Sequence, residues 1–252
     1  MPPFHNNDHT RAQGMDPIDR LFARTFWQSP SAPTFPAFLE RRAPPPRARA
    51  EGLGDLRGLS LVTTGPELVR AKVASTAGEI AAAASLVESR YAWRGYAVQP
   101  HDRAAAITVV ATGDAGTLGT LTLRADGPSG LAADEGYRET LNLARKAGRR
   151  LCELTRLAID ADAAWRPTLV SLIGLAYLAG RTLHQVTDVF VEVNPRHVRF
   201  YQRMFGFVAA AGQRMCPRVG APAVLLRLEL DRFEARLRQI GLHAPAPAAL
   251  AA

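Results

Sequence analysis

Leu-Cys-Glu-Leu-Thr-Arg-Leu-Ala-Ile-Asp, residues 151–160, is a short apolar run with β-branched residues, and such a run predicts a central strand. Two charges, Glu153 and Arg156, are embedded in it three positions apart. Because side chains alternate along a strand, regular geometry would place these two on opposite faces of the sheet. A β-bulge between them would bring both to one face. The alternative is a solvated ion pair that merely flanks the strand.

The segments on both sides of this strand predict a mixed α/β domain. Before it, we predict a strand at 68–74, a helix opened by a capping box at 75–79, a hairpin of strands at 105–112 and 117–125, and a helix at 134–147. After it, we predict a helix at 164–183, a strand at 187–193, a helix from Asn194-Pro195 to Gly206, an antiparallel pair at 207–215 and 223–230, and a helix at 231–240. The pattern predicts a mostly antiparallel sheet with one parallel strand-helix-strand crossover, flanked by helices.

Composition divides the 252 residues into three parts. Half of the 18 prolines lie before residue 50, among several arginines, so residues 1–65 are expected to be a largely disordered Pro/Arg-rich segment. A short helix can begin within it at Asp16-Pro17. The folded domain is expected at residues 66–242, and the Ala/Pro-rich residues 243–252 are expected to be a disordered tail.

Several classes of protein are disfavoured by the sequence. It shows no secretory signal and no apolar stretch long enough to span a bilayer, so a cytoplasmic location is expected. Cys152 and Cys216 lack any ligand spacing and are predicted to be free buried thiols, and the six histidines form no metal cluster. The net charge of +8 favours an acidic partner, which can be nucleic acid, anionic lipid or an acidic protein.

The order of elements, together with four segments, resembles the GNAT acyltransferase fold. Within that superfamily the domain is most similar to the N-acyl amino acid synthases, relatives of the acyl-homoserine-lactone synthases. The segments are residues 118–124, 153–158, 194–201 and 222–228. The resemblance implies an enzyme that moves a fatty acyl group from an acyl carrier protein thioester to the α-amine of an amino acid. Gly206-Phe207 arrives one residue later than the superfamily pattern has it.

The turn after residues 151–160 bears on the acyl donor. Acetyl-CoA enzymes of this fold resemble one another in a Gly-rich turn that binds the pyrophosphate through backbone N–H groups. Here residues 149–173 contain no glycine, and the turn carries Asp160 and Asp162. We therefore expect acyl-phosphopantetheine on acyl carrier protein, rather than acyl-CoA, as the co-substrate, with no permanently bound cofactor and no metal.

The chemistry of this reaction assigns roles to the residues of the resemblance. Glu153 is the candidate general base for the amine, Arg156 and Arg124 are candidates to bind the acceptor carboxylate, and Tyr201 is a candidate to protonate the departing thiolate. A backbone N–H of the bulged strand is expected to stabilise the oxyanion. The alternatives without a catalytic or binding role are a core aromatic for Tyr201 and a solvated strand-end charge for Arg124. The catalytic candidates are Glu153, Arg156 and Tyr201, and the substrate-binding candidates are Arg124, Arg90, Asn194 and His197.

Arginine-rich segments provide two candidate docking surfaces for an acidic carrier protein. The first consists of Arg145, Lys146, Arg149 and Arg150, and the rival consists of Arg196, Arg199 and Arg203. Two other functions stay open at this point. One is an acyl-CoA-dependent GNAT N-acyltransferase, and the other is a non-catalytic GNAT-like module that binds nucleic acid or an anionic surface. Nucleic acid is not expected as a partner, because few aromatic residues accompany the basic ones.

Overall fold

The computed structural model describes residues 60–63, 68–96, 106–114 and 116–233. Its elements in chain order are β1 Ser60–Thr63, β2 Val69–Val73, α1 Ala77–Ala92, β3 Ala106–Gly113, β4 Gly116–Ala125, α2 Asp134–Lys146, β5 Leu151–Ile159, α3 Trp165–Leu183, β6 Asp188–Val193, a 3-10 turn Pro195–His197, α4 Val198–Phe205, β7 Val208–Cys216 and β8 Ala221–Glu229.

Some predictions fall outside these residues. The short helix at Asp16-Pro17, the tail at 243–252 and the terminal helix beyond Phe233 all lie there. The described part includes β1, which lies inside the segment 1–65 that the sequence predicts to be largely disordered. The sheet therefore begins before the domain boundary expected at residue 66.

The described strands form one sheet in the order β1-β2-β3-β4-β5-β6-β8-β7. All neighbouring pairs are antiparallel except β5 and β6, which run parallel and are joined through α3. This confirms the mixed, mostly antiparallel sheet with one parallel crossover. Local signals behave as predicted too: Thr76 and Glu79 form a capping box at the start of α1, and Gly206 ends α4 in a left-handed conformation.

A bulge is present in β5, but it lies at Arg156 and Leu157 and not between Glu153 and Arg156, where the sequence predicts it. Thr155 pairs with Thr122 and Ala158 with Thr120, so two residues of β5, Arg156 and Leu157, stand opposite the single residue between them on β4. Arg156 has a positive φ of 54°, a conformation that non-glycine residues adopt at a cost of about 1–3 kcal/mol. The surrounding sheet therefore holds Arg156 in an unfavourable backbone conformation, as is common at functional sites.

The two faces of β5 meet different helices. Cys152 and Leu154 lie with Ile173 and Ala176 of α3 around an apolar pocket on one face. On the opposite face, Leu151 belongs to a core cluster with buried residues of α2 and of strands β6 and β8, namely Tyr137, Leu141, Phe190 and Leu225. Alternation along the strand therefore directs Glu153 to the α2 face.

Gly119 on β4 allows α3 to pack closely against the sheet. A Cβ at this position would lie 2.8 Å from Thr168 Cγ2, 3.0 Å from Leu172 Cδ1 and 3.2 Å from the Ala158 carbonyl oxygen. Thr168 and Leu172 are both fully buried, so neither has free space into which to move. The contact between β4 and α3 therefore depends on the missing side chain.

We predict that Gly119→Ala lowers the free energy of unfolding by about 1–3 kcal/mol, because overpacking forces α3 away from the sheet. Urea denaturation measures the change. Gly78→Ala in the first turn of α1 is the matched control, since its Cβ meets nothing within 4 Å and alanine favours helix. Equal stabilities of Gly119→Ala and the parent chain would contradict this account of the packing.

Candidate active site

β5 and β6 separate in the middle of the sheet. Their parallel ladder joins residues 151–153 to residues 188–190 and ends at the pair Glu153 and Phe190. Both strands continue beyond this pair, β5 to Ile159 and β6 to Val193. A wedge therefore opens between them, and the backbone groups along its edges are available to an extended substrate arm, as in strand addition. Glu153 lies at the apex of the wedge.

The Glu153 side chain is fully buried at this apex. The Ala133 backbone N–H donates a hydrogen bond to Oε2 at 3.2 Å. Among the described residues Oε1 has no hydrogen-bond partner, and its nearest cation is Arg218 Nη2 at 4.0 Å. Burial raises the pKa of Glu153, while the positive charge of Arg218 and the N–H groups of Ala133 and Ala132 oppose the rise. A carboxylate with a raised pKa is a stronger base than one in water.

Three carboxylates surround Arg218, which lies in the turn between β7 and β8. Its guanidinium contacts the Glu192 carboxylate and the Ala132 carbonyl, and lies 3.5 Å from Glu135 and 4.0 Å from Glu153. No pattern in the sequence predicted this cluster. Glu192 is visible in the sequence as a charge inside an apolar strand, but an arginine in a turn carries no signal.

The wide end of the wedge lies beside the C-terminal end of α1. Asn194 accepts a hydrogen bond from the Arg196 N–H at 3.2 Å, which confirms it as an N-cap, and its Nδ2 donates to the Tyr96 hydroxyl at 3.3 Å. The His197 ring lies 3.5 Å from Arg94 Nη1. The structure therefore brings Asn194 and His197, both predicted to bind substrate, together at one place.

Arg156 interacts electrostatically with Tyr91 of α1. Burial raises the pKa of Tyr91 on α1 to about 12, and the charges of Arg156 and Arg94 oppose this rise. Tyr91 also interacts electrostatically with Cys216, which in turn interacts with Glu153. That Glu153 and Arg156 serve one site stays a prediction.

The family of this chain is shown by comparison with known proteins. The family model described as N-acyl amino acid synthase FeeM matches residues 82–229, more than half of the chain. The chain belongs to this family. It is therefore an acyltransferase, and the non-catalytic module considered above is not favoured. No curated protein sequence matches it significantly.

Two solved structures resemble this FeeM-family acyltransferase. FeeM, an N-acyl amino acid synthase from uncultured soil microbes, is 24% identical with a TM-score of 0.60, over 67% of this chain and 94% of that one. The AHL synthase LasI is 13% identical with a TM-score of 0.52, over 69% of this chain and 96% of that one. At these identities the likeness shows the fold, which is the GNAT acyltransferase fold of the sequence prediction.

Arg124 of this FeeM-family chain lies next to Glu153 across the β4–β5 ladder. It donates hydrogen bonds to the Gly130 carbonyl at 3.2 Å and to Ser129 Oγ at 3.0 Å, and its charge also opposes the raised pKa of Glu153. Arg124 is therefore hydrogen-bonded within the chain, and its role in binding the acceptor stays a prediction. Arg90 lies further away on α1, with its guanidinium 5.6 Å from the Trp93 ring centre.

Tyr201 lies in an aromatic cluster. Its ring packs against those of Phe200, Phe205 and Phe207 at centroid distances of 5.6, 5.9 and 5.7 Å. Phe207 also lines the apolar pocket beside Ile173 on the α3 face of the sheet. The ring of Tyr201 therefore has a packing role in this chain. A catalytic role for its hydroxyl stays a prediction.

The first docking surface predicted for the carrier is largely committed to contacts within the chain. Arg145 donates to Asp126 and Asp134, each at 2.7 Å. Arg149 pairs with the buried Asp188. Arg150 donates to the Gln185 carbonyl, and Lys146 is exposed. In the rival surface, by contrast, Arg196, Arg199 and Arg203 are all exposed.

Both cysteines are free and buried, as predicted, and burial raises the pKa of each thiol. Within the part of the chain that the structure describes, no group of His, Cys, Asp and Glu side chains is placed to hold a metal ion. Over the same residues no helix is long and apolar enough to cross a membrane.

We predict that Arg145→Gln lowers the free energy of unfolding by about 1–3 kcal/mol, because it leaves the partly buried carboxylates of Asp126 and Asp134 without their counter-ion. Urea denaturation is the measurement. Lys146→Gln, which changes an exposed neighbour on the same helix, should stay within about 0.5 kcal/mol of the parent chain. If the two variants were equally stable, Arg145 would have no structural role and would be available for docking.

Proposed function

We propose that this chain transfers a fatty acyl group from an acyl carrier protein thioester to the α-amine of an amino acid, giving an N-acyl amino acid. The observation that carries the proposal is the Glu153 carboxylate, buried at the apex of the wedge between β5 and β6, where no described residue hydrogen-bonds to Oε1. Membership of the FeeM family supplies the class of reaction. We infer the kind of donor and the kind of acceptor from the charges around the wedge.

The proposed reaction begins with proton removal, because an α-amino group is largely protonated near neutral pH. Glu153 takes a proton from the ammonium group, directly or through one water. The amine then attacks the thioester carbonyl carbon, and a backbone N–H of the bulged strand stabilises the oxyanion. When the tetrahedral intermediate collapses, the C–S bond breaks and the pantetheine thiolate leaves, while the nitrogen loses its second proton, which replaces the one that Tyr201 gives up. Tyr201 is the proposed proton donor to that thiolate.

The acceptor carboxylate needs a cation close to the base. Arg124 neighbours Glu153 across the β4–β5 ladder, and Arg156 follows it on the bulged strand. A guanidinium binds a carboxylate through two parallel hydrogen bonds, which fixes orientation as well as position. We assign Arg156 to the acceptor carboxylate, with Arg124 as its support.

A small apolar cavity of about 20 Å³, room for roughly one water molecule, lies on the α3 face of the sheet, opposite to the face of Glu153. We propose that the hydrocarbon chain of the donor enters here as the lining side chains move apart. Leu154, which contributes to the cavity, directly follows Glu153 along β5. The pocket is lined by apolar and aromatic side chains that include Leu123, Leu154, Ile173, Phe207, Leu228 and Phe233. Such a lining suits a fatty chain rather than a polar or charged group.

The choice of an acyl carrier protein as donor rests on charge and on the turn before α3. The chain carries a net charge of +8, and acyl carrier proteins are typically acidic. In the turn, the Asp162 N–H is already bonded to the Asp160 carboxylate at 3.0 Å, and the acidic side chains repel a pyrophosphate. Arg196, Arg199 and Arg203 are exposed next to Asn194 at the wide end of the wedge, so we propose them as the docking surface. The cytoplasmic location remains a prediction.

We predict that Glu153→Gln reduces kcat by roughly 10² to 10⁴, because glutamine keeps the shape of the side chain but cannot accept the proton. Turnover is measured with acyl carrier protein and amino acid under saturating conditions. Since burial raises the pKa of Glu153, its ionised form destabilises the folded chain above that pKa. The neutral variant should therefore be at least as stable to urea as the parent chain.

Glu139→Gln is the matched control for this variant, because Glu139 is exposed on α2 and has no role in the proposed mechanism. It should turn over like the parent chain. Near-normal turnover by Glu153→Gln at neutral pH would remove Glu153 from the mechanism.

We predict that the acyl chain on acyl carrier protein reacts faster than the same chain on CoA. Reversal of Arg199 to Glu should lower kcat/KM for the carrier-bound donor at low salt, and the loss should shrink at high salt as screening removes the attraction. Lys146→Glu, an exposed change on the first surface, is the matched control and should have the smaller effect. Equal rates with both donors, insensitive to salt, would instead indicate an acyl-CoA donor.

A further inference from the structure

Arg218 links four parts of the structure at the apex of the wedge. It lies in the turn between β7 and β8, and its side chain is only 27% exposed. Its guanidinium contacts the Ala132 carbonyl, which precedes α2, and the Glu192 carboxylate on β6. Because it also lies 4.0 Å from Glu153 Oε1 on β5, the turn holds a positive charge over the buried carboxylate.

Glu153 and Glu192 compete for this one cation. The Glu192 side chain is 7% exposed and that of Glu153 is not exposed, so neither charge is compensated by solvent. Arg218 contacts Glu192 directly and stands further from Glu153. Glu135, the third carboxylate, is 51% exposed and is therefore screened by water.

Other charged and titratable groups also surround Glu153. Arg124 opposes the rise of its pKa from β4. Further groups on the elements that pack around it include Cys152 and Arg156 on β5, Tyr91 on α1, Tyr137 and Glu135 on α2, Asp188 and Glu192 on β6, and Arg214 and Cys216 on β7. Among the causes that act on Glu153, the charge of Arg218 is the largest one that opposes burial.

We propose that Arg218 is a positioning residue for the acyl transfer, which holds the Glu153 carboxylate in place and is shared with Glu192 as its counter-ion. The proposal rests on the role of Glu153 as the base, and it deepens that role. It implies that the protonation of Glu153 is set by a residue outside the strand that carries it. Removal of the Arg218 charge and removal of the Glu192 charge should then shift the pKa of Glu153 in opposite directions.

Arg218→Gln removes the charge but keeps hydrogen-bonding groups for Ala132 and Glu192. Without the cation, the pKa of Glu153 should rise, by about 1 unit for an opposite charge at this distance. The acid limb of the pH profile of kcat/KM should move upward by the same amount, so that turnover falls about tenfold on that limb and recovers at higher pH. Ionisation of the acceptor amine also shapes the pH profile, but it does so equally in all variants and does not affect their comparison.

Glu192→Gln should act in the opposite direction. It removes a nearby negative charge and leaves Arg218 free to move toward Glu153, and both effects lower the pKa of Glu153. Glu135→Gln is the matched control, because it removes a carboxylate that contacts Arg218 from an exposed position and should leave the profile unchanged. A general loosening of the site would lower activity in both buried-site variants without opposite shifts.

An NMR titration of ¹³C-labelled glutamate carboxyl groups gives a readout that needs no activity. The Glu153 signal is assigned from its absence in Glu153→Gln, and its midpoint is followed in each variant of the full chain. Should Arg218→Gln fail to fold, Arg218→Lys keeps the charge and loses the fork, so it should retain the parent midpoint with a lower kcat.

The outcomes separate this proposal from the proposed function. A lost turnover in Glu153→Gln with an unmoved midpoint in Arg218→Gln would overturn the role of Arg218 alone. Opposite shifts of the midpoint in Arg218→Gln and Glu192→Gln would support it. Near-normal turnover in Glu153→Gln, together with those shifts, would leave the electrostatic coupling in place and overturn the role of Glu153 as the base, and with it the positioning role of Arg218; a chain that makes no N-acyl amino acid would overturn the proposed function.

Discussion

A carboxylate removed from water at the point where two parallel strands separate is the constraint on which this site depends. Glu153 is fully buried, and an ionised group in that position is unfavourable unless charges or N–H groups compensate it. The structure supplies the N–H groups of Ala133 and Ala132 and two cations at a distance, Arg218 and Arg124. The compensation is partial, and partial compensation leaves a carboxylate that can take up a proton.

Two irregularities in the sheet produce that position. The ladder between β5 and β6 ends at Glu153, and the bulge opposite β4 begins at Arg156, so the segment between them is bound on one side only. α2 and the turn between β7 and β8 then cover the α2 face of the apex, through Ala133 and Arg218. The regular part of the sheet provides rigidity, and its defects provide the site.

Elements with local signals could be predicted from the sequence. The capping box of Thr76 and Glu79, the hairpin of β3 and β4 and the left-handed Gly206 each depend on residues close together in the chain. Two charges at the wrong spacing in an apolar strand predicted a bulge in β5, but not its position, which is at Arg156 and Leu157. Arg218 was not predictable, since its partners lie 26 to 86 positions away, and an arginine in a turn is usually solvated. Arg145 was assigned to a docking surface for the same reason, because its pairing with Asp126 is invisible in composition.

Mass spectrometry of lipid extracts tests the central claim most directly, because one measurement reports the acyl chain and the acceptor together. Cells that express the chain should accumulate N-acyl amino acids, and cells that express Glu153→Gln at the same level should not. Equal accumulation in both would contradict the role of the buried carboxylate. No N-acyl amino acid from the active chain, with acyl carrier protein and free amino acids present, would contradict the proposed reaction itself.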